Sequence, residues 1–185
     1  MAGRTSPSDS APRDRARRTG YLAALLLAGV ATSAGCGSFA AGAGLGDSLP
    51  TREAAAQAVL DALWTRDPER LLRLALTEGE FRTTVWPRLP ASRPEMGMPL
   101  EYLWSDTAAK SRAGLAEVLQ AHGRQRLRLD RIEFGGPAVD YGVFRIHPKT
   151  ALLVRDQAGR RSRIRVFGSM IEADGHWKIY SFVVD

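Results

Sequence analysis

The chain has 185 residues, 44% apolar and 25% charged, the balance of an ordinary folded protein rather than a disordered or collagen-like one. Its single cysteine excludes an intramolecular disulfide framework and any cysteine-rich zinc site, and its three histidines, His122, His147 and His176, match no metal-ligand spacing. The net charge of +6 is divided between the two ends of the chain. Residues 1–35 hold five Arg against two Asp, and the remainder holds 21 basic against 18 acidic residues. Within that remainder Thr51–His122 is close to balanced, with nine basic and ten acidic residues, whereas Arg124–Arg165 has eleven against four.

Arg4, Arg13, Arg15, Arg17 and Arg18 precede an apolar run from Tyr21 to Ala31, the layout of an export signal. The strongly hydrophobic part is about a dozen residues, short of the roughly 20 that a bilayer-spanning helix needs. No charge occurs from Thr19 to Gly46, so an uncleaved anchor is an alternative, and cleavage after Ala41-Gly42-Ala43 is another. All of these export the C-terminal part of the chain. Ser33-Ala34-Gly35-Cys36 resembles the lipobox of bacterial lipoproteins, with Ser33 where the family usually has Leu. The resemblance implies that Cys36 becomes the lipidated N-terminus and that membrane lipid is its partner. With no Asp directly after Cys36, it also implies sorting to the outer membrane, facing the periplasm. Gly37–Pro50 is rich in Gly, Ala and Ser, without apolar periodicity, and reads as a tether. The expected organisation is a signal over 1–35, a tether over 36–50 and a folded domain over 51–185.

Thr51 can cap a helix in which Ala55, Val59, Ala62 and Leu63 share a face, ending near Arg66. Asp67-Pro68-Glu69 is a sharper start signal, for a helix carrying Leu71, Leu72, Leu74 and Ala75. Thr77 and Glu80 have capping-box spacing, which predicts a short helix through Val85 before Pro87 stops it. Four prolines between Trp86 and Pro99 predict an irregular loop. Pro99 then opens a helix with Leu103, Trp104, Ala108, Leu115, Val118 and Leu119 on one face, with a break near Ser105-Asp106 as one option and an end at Gly123.

From Gln125 the apolar period changes from near 3.6 to near 2. Leu127, Leu129, Ile132 and Phe134 alternate with polar residues, with a slip at Asp130-Arg131 that suits a bulge. Tyr141–His147 and Ala151–Asp156 read as strand pieces separated by Pro148. Gln157–Arg160 is a hairpin loop into a strand over Arg161–Glu172, with Ile164, Val166 and Met170 on one face and Arg163, Arg165 and Phe167 on the other. Asp174-Gly175 closes the last hairpin before Trp177, Ile179 and Val183 alternate. Helices followed by an antiparallel meander predict an α+β fold, with N-terminal helices packed on a curved sheet of four to five strands.

This element order, with the final Asp174-Gly175-His176-Trp177-Lys178-Ile179, resembles the nuclear transport factor 2-like superfamily of α+β cones. The resemblance covers Thr51–Asp185. It implies an apolar pocket between the long helix and the concave sheet, in a superfamily of isomerases, dehydratases, ligand binders and proteins without activity. It also implies that a homodimer through the open sheet face is available. No catalytic motif of the family transfers, and no cofactor or metal is expected. Tyr102, Trp104, Tyr141, Trp177 and Trp86 are the candidate pocket residues, since aromatic walls with few polar groups suit small-molecule sites; for Trp104 and Trp177 the commoner role is a core anchor joining helix to sheet. For acid/base chemistry the candidates are Asp130, Asp140, Tyr141, His147 and Tyr180, although a strand-end histidine is ordinarily a surface residue and Asp130 and Asp140 neighbour basic strands. Arg126, Arg128, Arg161, Arg163 and Arg165 form a candidate basic face, read as solvated, as edge protection, or as attracted to anionic lipid or envelope polymer. Nucleic acid is not an expected partner, because it would need interleaved aromatics and a cytoplasmic address, and the leader argues against that address. The functional expectation is therefore a membrane-anchored envelope lipoprotein whose domain binds a small apolar ligand or an envelope protein without catalysis. An acid/base enzyme of the envelope, or a structural subunit of an envelope complex, is the alternative.

Overall fold

The computed structural model describes residues 44–183, which fall within one of the chain's two units, Phe39–Asp185. The leader, Cys36 and the first part of the tether lie outside the described residues. Thr51 has extended backbone and accepts the Ala54 N–H on its hydroxyl at 3.0 Å, opening α1 (Arg52–Thr65). Asp67 accepts the Arg70 N–H at 2.9 Å and Pro68 occupies the first turn of α2 (Pro68–Leu74). Thr77 and Glu80 form a reciprocal capping box around the single turn α3 (Glu78–Glu80), which runs into a π-helical turn, Phe81–Val85. Three proline-containing 3₁₀ turns, Trp86–Arg88, Pro90–Ser92 and Pro94–Met96, lead to α4 (Leu100–His122). The helix runs unbroken through Ser105-Asp106, where a break was one option. Ser105 donates to the Tyr102 carbonyl and Asp106 pairs with Lys110 one turn on, so both side chains are satisfied along the helix.

Seven strands come next among the described residues, more than the four or five expected: β1 (Arg128–Phe134), β2 (Val139–Asp140), β3 (Arg145–His147), β4 (Thr150–Arg155), β5 (Arg161–Ile164), β6 (Ser169–Ala173) and β7 (His176–Ser181). They make two antiparallel ladders, β1-β4-β5 and β2-β3-β6-β7. The bulge anticipated at Asp130-Arg131 is present, between Leu129 and Arg131. Two expected strands are each divided. Tyr141–Phe144 is a turn closed by the Tyr141 N–H to the Phe144 carbonyl, with Gly142 at φ 84°. Arg161–Glu172 breaks after Ile164, where the backbone passes so close to the C-terminal segment that a Cβ on Gly168 would lie 2.1 Å from the Val183 carbonyl oxygen. Beside the break the Thr150 N–H donates to the Gly168 carbonyl at 2.8 Å and joins the ladders. Between the pairs His147↔Met170 and Leu152↔Ile164, five steps on one strand match six on its partner, a bulge-like slip that bends the chain. Phe167, expected on the face opposite Val166, is buried with it in one cluster because the break ends strict alternation.

The architecture is α+β, with four helices and two antiparallel ladders among the described residues. The larger core joins α1, α2 and α4 to inward residues of both ladders, among them Leu152, Val154, Met170 and Ile179, and to Phe182 just past β7. A second core gathers Leu76, Phe81, Val85, Phe144, Ile171 and Ala173, with Trp86, Trp104, Tyr141 and Tyr180 packed against it. β6 and β7 therefore bury both of their faces. The folded part also starts earlier than Thr51: Leu45 is buried, and Leu49 exchanges two backbone hydrogen bonds with Trp177, covering part of the β7 edge.

Candidate functional site

The long helix presents Trp104, Thr107, Ala108, Ser111 and Arg112 at positions i, i+3, i+4, i+7 and i+8, one helical face. That face stands across a hollow from Tyr180 and Ser181 of β7, from Leu72 of α2 and from Ala75, Leu76 and Thr77 just after it. The hollow measures about 200 Å³. An engineered apolar cavity of about 150 Å³ takes benzene, so a single-ring or short acyl ligand is the size that fits.

Backbone approach sets the separation of its walls. A Cβ on Gly114 would lie 2.0 Å from the Phe182 carbonyl oxygen, so only glycine lets α4 lie this close to the end of β7. The Ser111 hydroxyl accepts the Phe182 N–H at 3.0 Å and pins the same contact. On the other side Leu76 donates its N–H to the Ile179 carbonyl at 2.8 Å, which fixes the α2–α3 connection against β7. The Tyr180 phenol is pushed up to about 12, by burial first and by the neighbouring Tyr141 second, so it stays protonated through the physiological range. The Trp104 ring packs 5.2 Å from Phe81, and Arg112 lies exposed at the rim. The site thus has apolar walls, a neutral phenol and a peripheral cation.

The candidate aromatics divide. Trp104 lines the hollow, while Trp86, 6.3 Å from Phe81, and Tyr141, stacked on Phe144 at 4.9 Å, pack into the core behind it. Trp177 lies on the opposite face of β7, against Phe134 and His147. Tyr102 is 63% exposed and does not line the hollow. Leu72, Ala75, Thr77 and Ser111 were missed by sequence reasoning; the helical spacing from Trp104 points to Ser111, but no sequence signal marks the residues after α2.

The candidate acids are engaged at the surface. Asp130 pairs with Arg155 at 3.1 Å and Arg161 at 3.4 Å. Asp140 accepts the Gly142 N–H and pairs with Arg145, which together hold its carboxyl below the usual range. His147 corrects the surface expectation: it is largely buried between Phe134 and Trp177, and its Nε2 lies 2.9 Å from Glu172. Glu172, 25 residues away in the chain, was not legible as its partner. His176 sits exposed at its hairpin, and His122 ends α4.

Arg128, Arg161 and Arg163 share the outer face of the three-stranded ladder, with Arg128 opposite Arg155 and Arg155 opposite Arg161. Asp130 and Glu133 interrupt the charge there; Glu133 is bracketed by Arg131 at 2.6 Å and Arg163 at 3.1 Å. Arg126 precedes β1, and Arg165 lies in the break between β5 and β6.

Comparisons with protein-family models, curated proteins and solved structures give no match. Among the described residues no helix is long and apolar enough to cross a membrane, and no group of three or more His, Cys, Asp or Glu could hold a metal ion.

Proposed function

We propose that this chain is an exported bacterial envelope lipoprotein, anchored through Cys36, whose α+β domain is a nuclear transport factor 2-like cone that binds a small apolar ligand without catalysis. The observation that carries the binding reading is the hollow between α4 and β7, with Trp104 and Tyr180 on facing walls. The anchoring reading rests on the cationic leader, the short apolar run and the single cysteine after small residues. The outer membrane, periplasmic side, is the location that the lipobox resemblance implies.

Native mass spectrometry of the full chain, extracted from membranes in mild detergent, tests the binding. The expected result is an excess mass that is lost on denaturation and absent in Trp104→Ala. An empty chain in every preparation would refute a resident ligand and turn the reading toward an assembly subunit or homodimer. For the anchor, Cys36→Ala should move the chain from membrane to soluble fractions; unchanged fractionation and mass would rule out lipidation.

One observation favours a second reading, an envelope enzyme. His147 is held by Glu172 between two aromatic rings, an arrangement that orients an imidazole for acid/base work.

A further inference from the structure

A second site stands where α4 gives way to the sheet, built from residues that the hollow does not use. Beyond Gly123, Arg124 takes a left-handed conformation (φ 66°) and donates its N–H to the Leu63 carbonyl at the end of α1. The next outward residues are Arg126 and Arg128, with Leu127 buried between them. Facing them is the β4–β5 hairpin, with Arg155 and Arg160. Two adjoining grooves of about 500 and 360 Å³ lie between these segments and share Arg126, Asp156 and Gln157.

The lining has five guanidinium groups and one carboxylate, and that carboxylate is already engaged. Asp156 accepts the Ala158 and Arg160 N–H groups at 2.9 Å each and the Arg160 Nε at 2.8 Å, closing the hairpin on itself. Arg124, Arg126 and Arg128 make no ion pair among the described residues. On the adjacent ladder face, by contrast, Asp130 and Glu133 each stand between two arginines. Gathering unpaired guanidinium groups costs self-repulsion that an anion in the grooves would relieve, and the planar fork of arginine matches phosphate oxygens two at a time. Among the described residues no aromatic ring lines either groove for a nucleobase to stack on.

We infer that these grooves form a binding site for a chain of phosphate groups, two or more phosphates long, held by Arg124, Arg126, Arg128 and Arg160. Isothermal titration of the full chain with sodium tripolyphosphate, against orthophosphate as control, tests it. Tripolyphosphate should bind with one-to-one stoichiometry and at least about tenfold more tightly than orthophosphate, as expected when several charge-assisted contacts act together. The double variant Arg124→Gln/Arg126→Gln should lose at least about tenfold in affinity, while Arg163→Gln, already paired with Glu133, changes it by less than about twofold. Circular dichroism melts confirm that each variant is folded; should the double variant not fold, Arg128→Gln alone must show the loss. Equal affinity for the two anions, or equal losses in the groove and Arg163 variants, would overturn the site in favour of a diffuse positive field. So would sedimentation with phosphatidylglycerol vesicles in the absence of tripolyphosphate binding, which would make a membrane surface the ligand.

Discussion

The two ladders use charge in opposite ways. In the three-stranded ladder one face packs on the core and the other meets water, where Arg128, Arg131, Arg155, Arg161 and Arg163 surround Asp130 and Glu133. In the four-stranded ladder β6 and β7 have a core on each side, and the charge buried there is held by several partners. Lys178 is 2% exposed and donates to both Glu80 oxygens, at 2.8 and 3.0 Å, and to the Gly46 carbonyl at 2.6 Å. Glu80 in turn accepts the Thr77 N–H and hydroxyl, so one carboxylate closes a helix cap and neutralises a buried ammonium. Similar ion pairs therefore differ in worth according to the solvent they have left: a surface pair contributes little, while breaking a buried one strands its partner.

The largest expected effect tests that contrast. Lys178→Met keeps the bulk but leaves the Gly46 carbonyl and the enclosed side of Glu80 without their donor, and should cost about 3–5 kcal/mol in urea unfolding. A loss no greater than that of a surface pair would mean that water reaches the Lys178 site and that the two ladders do not differ. A smaller effect concerns Tyr180, whose ionisation is raised above its ordinary 10.0 to about 12. The neutral form is preferred in the fold, and this fixes the sign: its contribution is complete below pH 10 and is lost as the pH rises toward about 12. A phenolate absorbance titration should show a late-titrating tyrosine that Tyr180→Phe removes, and the lack of any such late step would contradict the burial. The smallest effect belongs to Glu133, held below the usual carboxylate range by Arg163 and then Arg131. Its contribution is present at neutral pH and fades as the pH falls below the ordinary carboxylate range, and Glu133→Gln should leave the thermal midpoint at pH 7 unchanged within error. A clear drop would show that the surface lattice acts as a unit.

The elements were most legible where a few neighbouring residues decide them. Thr51, Asp67 and the Thr77–Glu80 box mark three helix starts that the structure reproduces, because a cap is a bond between residues three apart. The bulge at Asp130-Arg131 was visible as a slip in alternation for the same reason. The candidate site was legible on its helical side, where Trp104 and the residues at helical spacing from it fall on one face, and at Tyr180 alone on the other. Its opposite wall comes from the segment after α2 and from β7, distant in sequence and joined by backbone hydrogen bonds that leave no mark in side-chain pattern.

By itself, then, the sequence determined the α+β order, the caps, the position of the first bulge and the concentration of arginine beyond residue 123, all of which come from local backbone preference, periodicity and composition. Only the tertiary structure decided that the strand beyond Arg161 breaks between Ile164 and Ser169, where Gly168 approaches the C-terminal segment, that His147 meets Glu172, and that Lys178 is buried against a carboxylate 98 residues away. Each of those depends on close packing between segments remote in the chain, where the steric fit of a backbone oxygen or the desolvation of a charge outweighs the local pattern.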